Sequence, residues 1–228
     1  MTNRFFSTAS FDYLSELAKN NNREWFQENK ARYESSVREP ALAYIEYMAQ
    51  ELPLISPHFL ALPKKVGGSL MRVHRDVRFS KNKQPYKTNI GIQFRHEVGK
   101  DVHAPGYYVH IEPGDCFLGV GMWRPDSPSL RKIREAIDDS PKQWSNAKKV
   151  FDKPRHWKLV GDSLVNPPRG YAKDHPMLED LKRKDFIAVI EFPDKKVVSK
   201  SFRSWACDAF QDATPFMRFL CQGLEIRF

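Results

Sequence analysis

The chain contains few cysteines and no long hydrophobic run, and both shortages exclude classes of protein. Its three cysteines are an odd number without regular spacing, so the fold is not built on disulfides and we expect a reducing compartment. No apolar run approaches the roughly 20 residues of a membrane-spanning helix, and Met1 to Ser10 lacks the apolar core of a signal peptide. We therefore predict a cytoplasmic protein with no membrane partner.

Known metal and nucleophile motifs are also missing. The seven histidines are scattered, and no Cys-x-x-Cys, His-Glu-x-x-His or EF-hand spacing occurs. A Gly-x-Ser-x-Gly elbow is absent as well. The sequence therefore predicts no metal site, and it leaves the identity of any cofactor open.

The sequence does contain enough apolar material for one packed domain. Hydrophobic residues form 41% of the 228 residues and aromatic residues form 13%, which suffices for a core without disulfides. We find no internal repeat, no low-complexity tract and no linker long enough to separate two folding units. These features predict a single domain over residues 1–228.

The periodicity of the apolar residues changes along the chain. Between Phe11 and Leu52 they recur every three or four positions, which predicts helices, and Pro40 is expected to interrupt or kink them. After Gly67 and Gly68 the period becomes two, which is typical of strands. The predicted strands are residues 69–74, 89–95, 107–112, 116–122 and 186–192.

The connections between the predicted strands indicate the fold class. Pro113, Gly114 and Asp115 form a compact turn signal, so the strands beside them are expected to pair as an antiparallel hairpin. Helical spacing returns after Ser127 and again over residues 199–224. Clustered strands joined by hairpins predict an α+β fold, with a largely antiparallel sheet on which N-terminal and C-terminal helices pack.

Positive charge is concentrated in one segment, RVHRDVRFSKNKQPYK, from Arg72 to Lys87. It holds six basic side chains and one acid, Asp76, and so carries more than half of the chain's net charge of +9. An exposed helix would usually mix acids with bases to relieve repulsion. Because Asn82 and Pro85 break any helical period, we predict a loop between two strands, where binding groups are common.

This residue mixture suits the recognition of an anion. The guanidinium group of arginine fits phosphate or carboxylate with paired hydrogen bonds, lysine adds charge, and hydroxyl groups can bind the remaining oxygens. The candidate ligand-binding residues are Arg75, Arg78, Ser80, Lys81, Lys83, Tyr86 and Lys87. The predicted partner is a phosphorylated or otherwise anionic small molecule, and a merely solvated basic loop is the alternative.

Two residues are candidates for catalysis, Asp76 and His110. Asp76 lies between two arginines, which favours its ionised form and suits either a weak base or a simple ion pair. His110 shares one face of a predicted strand with Tyr108 and Glu112, and an imidazole beside a carboxylate can transfer protons unless its role is structural. If the protein is an enzyme, hydrolysis or transfer at a phosphate ester is the expected reaction.

Two other functions fit parts of the sequence. The net basicity, with further clusters at residues 148–158 and 182–184, suits a nucleic-acid-binding surface, although no known nucleic-acid-binding motif accompanies it. Aromatic residues along the predicted helix over residues 22–37 could instead form a docking face of a non-catalytic interaction module.

Several segments together resemble one protein family. They are NREWF at residues 22–26, RDVRFSKNKQPYK at 75–87, GYYVHIEPG at 106–114, and the later LRKIR and PPRGY runs. With these segments the chain resembles, over nearly its whole length, a bacterial and fungal family catalogued as domain of unknown function 2461. The resemblance implies a single compact domain, and it implies no particular activity, ligand or catalytic residue.

Overall fold

The sheet lies at the centre of the computed structural model, which describes residues 4–99, 104–152 and 157–228. Its strands are β1 (Phe59–Leu60), β2 (Ile90–His96), β3 (Gly106–Ile111), β4 (Cys116–Met122), β5 (Lys158–Val160) and β6 (Phe186–Phe192). The strand order is β1-β2-β3-β4-β6-β5, and every neighbouring pair is antiparallel. With helices on this sheet, the predicted α+β class is confirmed.

The helices come mainly before and after the strands. They are α1 (Thr8–Lys19), α2 (Arg23–Glu28), α3 (Lys30–Tyr33), α4 (Glu39–Ile55), α5 (Ser127–Asp139), α6 (Pro141–Lys148), α7 (Leu178–Leu181), α8 (Asp194–Val197), α9 (Phe202–Asp212) and α10 (Thr214–Gly223). A π-helical turn, Glu34–Arg38, precedes α4, and a 3-10 turn, Lys149–Asp152, follows α6. In the described part of the chain, no helix is both long and apolar enough to cross a membrane.

The α-helical pattern is interrupted just before Pro40, as predicted, but by a π-helical turn and without a break in the chain's helical course. Pro40 lies in the first turn of α4, directly after the π-helical turn, and the chain stays helical through it. A helix start leaves its first N–H groups unpaired, so the missing N–H of proline removes no bond there. The change in hydrogen-bond spacing at the π-helical turn is what makes this position a new helix start.

The two faces of the sheet have different neighbours. One face, the inner face, packs against the helices: Tyr107 of β3 contacts Phe210 of α9 at 4.9 Å between ring centroids, and Phe186 of β6 contacts Trp144 of α6 at 5.9 Å. Side chains alternate along a strand, so the neighbours of these residues on each strand point to the opposite face, which we call the outer face. The core therefore lies on the inner side of the sheet.

Most predicted strands are confirmed, and the bounds of β4 and β6 match the prediction. The prediction of a strand over residues 69–74 is wrong, since that segment makes only isolated bridges, Leu70 with Ile92 and His74 with Tyr86. Between these two bridges, the chain from Tyr86 to Ile92 contains two more residues than the chain from Leu70 to His74. This bulge interrupts the ladder. The short strands β1 and β5 were not predicted.

Candidate functional site

The outer face of the sheet forms an apolar cleft of about 320 Å³. Its lining includes Met71, Tyr108, Phe117, Gly119, Trp123 and Val189. Cross-strand pairs explain its floor, because Gly119 of β4 lies between Tyr108 and Val189 on the neighbouring strands. Because Gly119 has no side chain, a depression remains between the side chains of Tyr108 and Val189.

Gly119 and Gly121 both lie in this floor, but the backbone conformation requires glycine at only one of the two positions. Gly121 has a φ of +113°, and a Cβ there would lie 2.0 Å from the carbonyl oxygen of Phe186. At Gly119 a Cβ would make only ordinary contacts, of 3.6 Å with the side chain of Tyr108 and 4.0 Å with the carbonyl oxygen of Ala188. The fold therefore requires glycine at 121, whereas glycine at 119 keeps the cleft open.

The rim of the cleft carries a partly exposed tryptophan. Trp123 follows β4 and is 47% exposed, and the guanidinium carbon of Arg124 lies 4.8 Å from its ring centroid. Arg124 has a φ of +48°, and its backbone N–H donates to the Asp185 carboxylate at 2.7 Å. This bond fixes the chain beside Trp123 and so helps to hold the ring at the rim.

At the end of the cleft lined by Tyr108 and Phe117 lies a polar cluster organised around His110, which contacts both residues from outside the lining; we call this the polar end of the cleft. The Nε2 atom of His110 lies 3.2 Å from Glu112, and its Nδ1 atom lies 3.1 Å from the Tyr108 hydroxyl and 3.4 Å from the Asn89 amide nitrogen. The Thr88 hydroxyl donates to the other oxygen of Glu112 at 2.5 Å. We call these five residues the His110 network.

The partners of His110 determine its tautomer. The Asn89 amide nitrogen only donates, so the Nδ1 atom of His110 accepts and the Nε2–H donates to Glu112. Burial raises the pKa of the Tyr108 phenol to about 12, with a smaller contribution from the Glu112 carboxylate, although the hydrogen bond with Asn89 lowers it in part. At neutral pH Tyr108 is thus a neutral hydroxyl that can donate to His110. The imidazole also stacks on Phe117, with 4.6 Å between ring centroids.

The bulge beside β2 brings two consecutive side chains into the His110 network. In a regular strand, Thr88 and Asn89 would point to opposite faces of the sheet. Here Thr88 binds Glu112 and Asn89 binds His110. The irregular backbone that the sequence analysis missed is therefore what completes the polar end of the cleft.

The basic segment lies outside this cleft. Residues 73–75 pair with residues 85–87, so the chain between them forms the loop of a hairpin, which we call the basic hairpin. All of residues 75–87 are described, and none of them lines the cleft. Of the predicted site residues, only His110 belongs to the His110 network.

Asp76 and Arg78 bind each other. Two hydrogen bonds, of 3.0 and 2.7 Å, join the Arg78 guanidinium to the Asp76 carboxylate. These bonds lower the pKa of Asp76 to about 2. A carboxylate with this pKa is a poor proton acceptor at neutral pH, so the structure favours the ion pair over the catalytic role predicted for Asp76.

Tyr86 belongs to the core. Its side chain is buried, and its ring stacks on Phe26 of α2 with 4.0 Å between centroids. Asn21 also holds the Tyr86 backbone with two hydrogen bonds of 3.0 Å, and the neighbouring Asn22 caps α2. We therefore remove Tyr86 from the candidate ligand-binding residues.

The remaining candidates differ in exposure. Lys81 and Lys83 are exposed, and the Lys83 ammonium donates to the Val77 carbonyl at 3.0 Å, whereas Arg75 and Ser80 are half-buried. Lys87 is also half-buried, and burial together with the neighbouring Arg72 lowers its pKa. Lys87 and Arg72 lie at the root of the basic hairpin. Lys87 directly precedes Thr88, which binds Glu112 of the His110 network.

Sequence reasoning found His110 but missed the cleft. Gly119 and Gly121 alternate within a predicted strand, and alternation places both on one face of a sheet. That spacing was the available signal for an open floor. Nothing local in the sequence indicates that Met71, which is 48 residues from Gly119, lies beside the same depression.

Comparisons with known proteins give the family. No curated protein and no solved structure matches the chain. The family model described as a conserved hypothetical protein (DUF2461) matches residues 9–219, which is most of the chain. The chain therefore belongs to the DUF2461 family, as the resemblance implied.

Proposed function

We propose that the protein binds a small organic anion whose apolar body occupies the outer-face cleft. The observation that carries this proposal is the open floor at Gly119, where the backbone would accept a side chain and none is present. The cleft is lined mainly by apolar groups, and Tyr108 of its lining connects it to the polar side chains of the His110 network, a combination that is common in ligand sites.

The anionic group of this ligand would lie at the polar end of the cleft. Lys87 directly precedes Thr88 of the His110 network, and Arg72 is the cation that acts on Lys87 at the root of the basic hairpin. Lys87 is half-buried beside another cation, and a bound anion would relieve that repulsion. A phosphate or carboxylate is therefore the group that we assign to the ligand.

His110 is the residue that we assign to proton transfer. Its Nε2 atom lies 3.2 Å from Glu112, and this carboxylate orients the ring. The reaction that we propose to test is hydrolysis of a phosphate ester. In it water attacks phosphorus and gives a proton to Glu112, the bond to the leaving oxygen breaks, and protonated His110 gives a proton to that oxygen.

The probe for binding and turnover is 4-nitrophenyl phosphate, which has an aromatic body and a phosphate group. Calorimetry measures its binding in the presence of a chelator, and absorbance of released 4-nitrophenolate measures hydrolysis. We expect Gly119→Leu to abolish binding by filling the cleft, and Gly119→Ala to retain it. Equal affinity in both variants would contradict the proposed site.

The assigned cation has its own test. Loss of an ion-paired hydrogen bond costs about 1.5–3 kcal/mol, so Lys87→Met should weaken binding of the probe at least about tenfold. Lys65→Met, which removes an exposed lysine outside the cleft, is the matched control. If both variants bind equally well, Lys87 does not hold the phosphate.

A second candidate function, binding of single-stranded nucleic acid, is favoured by the tip of the basic hairpin. Phe79 is 94% exposed, and the Arg78 guanidinium carbon lies 5.8 Å from its ring centroid. Lys81 and Lys83 are exposed close by in the chain. Unstacked bases bind such combinations of an aromatic ring and basic side chains.

The other basic clusters are partly used within the fold. Lys148 pairs with Asp180 at 2.7 Å, and Lys182 pairs with Glu179 at 3.1 Å. The half-buried guanidinium group of Arg183 donates to the Val160 carbonyl at 2.6 Å. Residues 153–156 of the first cluster lie outside the described residues. The hairpin tip is therefore the better candidate for this surface.

Fluorescence anisotropy with a labelled oligo-uridine tests the nucleic-acid candidate. Binding should fall steeply between low and physiological salt. Loss of one stacked base costs about 1–3 kcal/mol, so Phe79→Ala should weaken binding about tenfold. Val165→Ala, at a site 90% exposed elsewhere, should leave binding unchanged. Absence of binding at low salt would remove this candidate.

The third function, a docking face over residues 22–37, loses its support. Phe26, Tyr33 and Val37 are buried in the core, and Trp25 packs partly against it. Their helical spacing reflects burial within the domain, so these side chains do not present a surface to another protein.

A further inference from the structure

We propose that His110, Glu112 and Asp115 together bind a divalent transition-metal ion at the polar end of the cleft. Each offers one ligand atom, and these atoms all lie within 4.8 Å of one another. Ligands about 2.1 Å from a common ion are at most about 4.2 Å apart, so a small movement of the side chains completes the site.

The hairpin between β3 and β4 places all three ligands. His110 and Glu112 are two residues apart, so they share the outer face of the sheet. Asp115 lies in the turn that follows, and its backbone N–H donates to the Glu112 carbonyl at 3.0 Å. The same turn is held from the other side, because Gly114 N–H donates to the Asp194 carboxylate at 3.1 Å.

The surrounding hydrogen bonds are those that a metal site needs. A metal-binding histidine is usually oriented through its second ring nitrogen, and here Tyr108 and Asn89 contact the Nδ1 atom of His110. A metal-binding carboxylate is usually held by a further donor, and Thr88 donates to Glu112. With the ion bound, Nδ1 carries the proton and donates to the Tyr108 hydroxyl, and the Asn89 amide nitrogen, which donates to Nδ1 in the metal-free protein, gives up that bond.

The cleft is the second observation that points to a ligand at this place. Tyr108 and Phe117 both line the cleft and both contact His110. An ion held by three protein ligands would keep open positions for a further ligand, as catalytic metal sites do. It would also supply, at the cleft itself, a positive charge for an anionic group.

The ligand set defines the class of ion. Imidazole favours transition metals, and carboxylates suit Mn²⁺ as well as Zn²⁺. We therefore assign the site to an ion such as Mn²⁺ or Zn²⁺. The ion replaces the Nε2 proton of His110, so His110 is a ligand when metal is bound and a proton-transfer group when it is not.

Mn²⁺ alone is the probe, because its free form has an electron paramagnetic resonance signal that is lost on binding. We expect the wild-type chain to bind one Mn²⁺, and Asp115→Asn, an exposed position, to weaken affinity about tenfold or more. Tyr108→Phe, which removes the group that orients His110, should also weaken it, by about tenfold.

His58→Gln is the matched control, since His58 and Glu97 form a histidine–carboxylate pair at 2.7 Å elsewhere in the fold. It should bind Mn²⁺ as the wild type does. Lack of Mn²⁺ binding by the wild type, or equal binding by the Asp115→Asn and wild-type chains, would overturn the site. Because the chelated protein is used for 4-nitrophenyl phosphate, failure of the metal site is distinguishable from failure of the cleft.

Discussion

Alanine substitutions at Gly119 and Gly121 test whether the floor of the cleft serves the fold or a ligand. At Gly121 the backbone has a φ of +113°, and a non-glycine residue in such a conformation costs about 1–3 kcal/mol. The new Cβ would also lie 2.0 Å from the Phe186 carbonyl oxygen, so the β4–β6 pair must open. Together these effects should lower the free energy of unfolding of Gly121→Ala by about 3 kcal/mol or more.

Gly119→Ala should behave differently. The added Cβ meets the Tyr108 side chain at 3.6 Å, which is ordinary contact. Alanine reduces the freedom of the unfolded chain, which is worth about 0.4–1 kcal/mol at an unstrained position. The free energy of unfolding should therefore stay within about 1 kcal/mol of the wild-type value.

Guanidinium-induced unfolding followed by far-ultraviolet circular dichroism measures both changes. The informative quantity is the difference between the two variants, because they lie two residues apart on one strand. An equally large loss of stability in both variants would mean that the fold needs glycine at 119. The argument for an open ligand site would then fail.

Two further predictions concern protonation. Nuclear magnetic resonance titration should give Asp76 a pKa near 2, and Arg78→Ala should return it toward its ordinary value, because Arg78 stabilises the carboxylate; an unchanged pKa would disprove the ion pair. Burial lowers the pKa of His96 below 6.5, so unfolding takes up a proton as the pH falls and stability should decrease from pH 7 toward pH 5. The melting temperature of His96→Gln should therefore depend less on pH than that of the wild type. An unchanged pH dependence would mean that other groups cause it.

The sheet shows which strand pairings a local sequence pattern can predict and which it cannot. The hairpin of β3 and β4 was predictable because its turn residues and its alternating strands are contiguous in the chain. The segment from Leu70 to His74 has a similar alternation, but it pairs at only two points. Its partner carries two extra residues, and the cost of that bulge depends on contacts of Thr88 and Asn89 with a different strand.

The candidate site shows the same division. His110, Glu112 and Tyr108 were placed on one face by strand alternation alone. The charge of the basic hairpin was equally visible, but its relation to a cavity was not. The number of charged residues does not show where each side chain points. Only packing decides that Tyr86 turns into the core while Arg78 binds Asp76.

The sequence by itself determined the α+β class, the antiparallel hairpin and the shared face of His110 and Glu112, because each follows from contacts between residues close in the chain. The tertiary structure alone decided that Met71 and Trp123 line one cleft with Gly119, and that the basic hairpin lies outside it. Such placements depend on the register of strands distant in sequence, and a single-residue shift of register would turn every side chain to the other face.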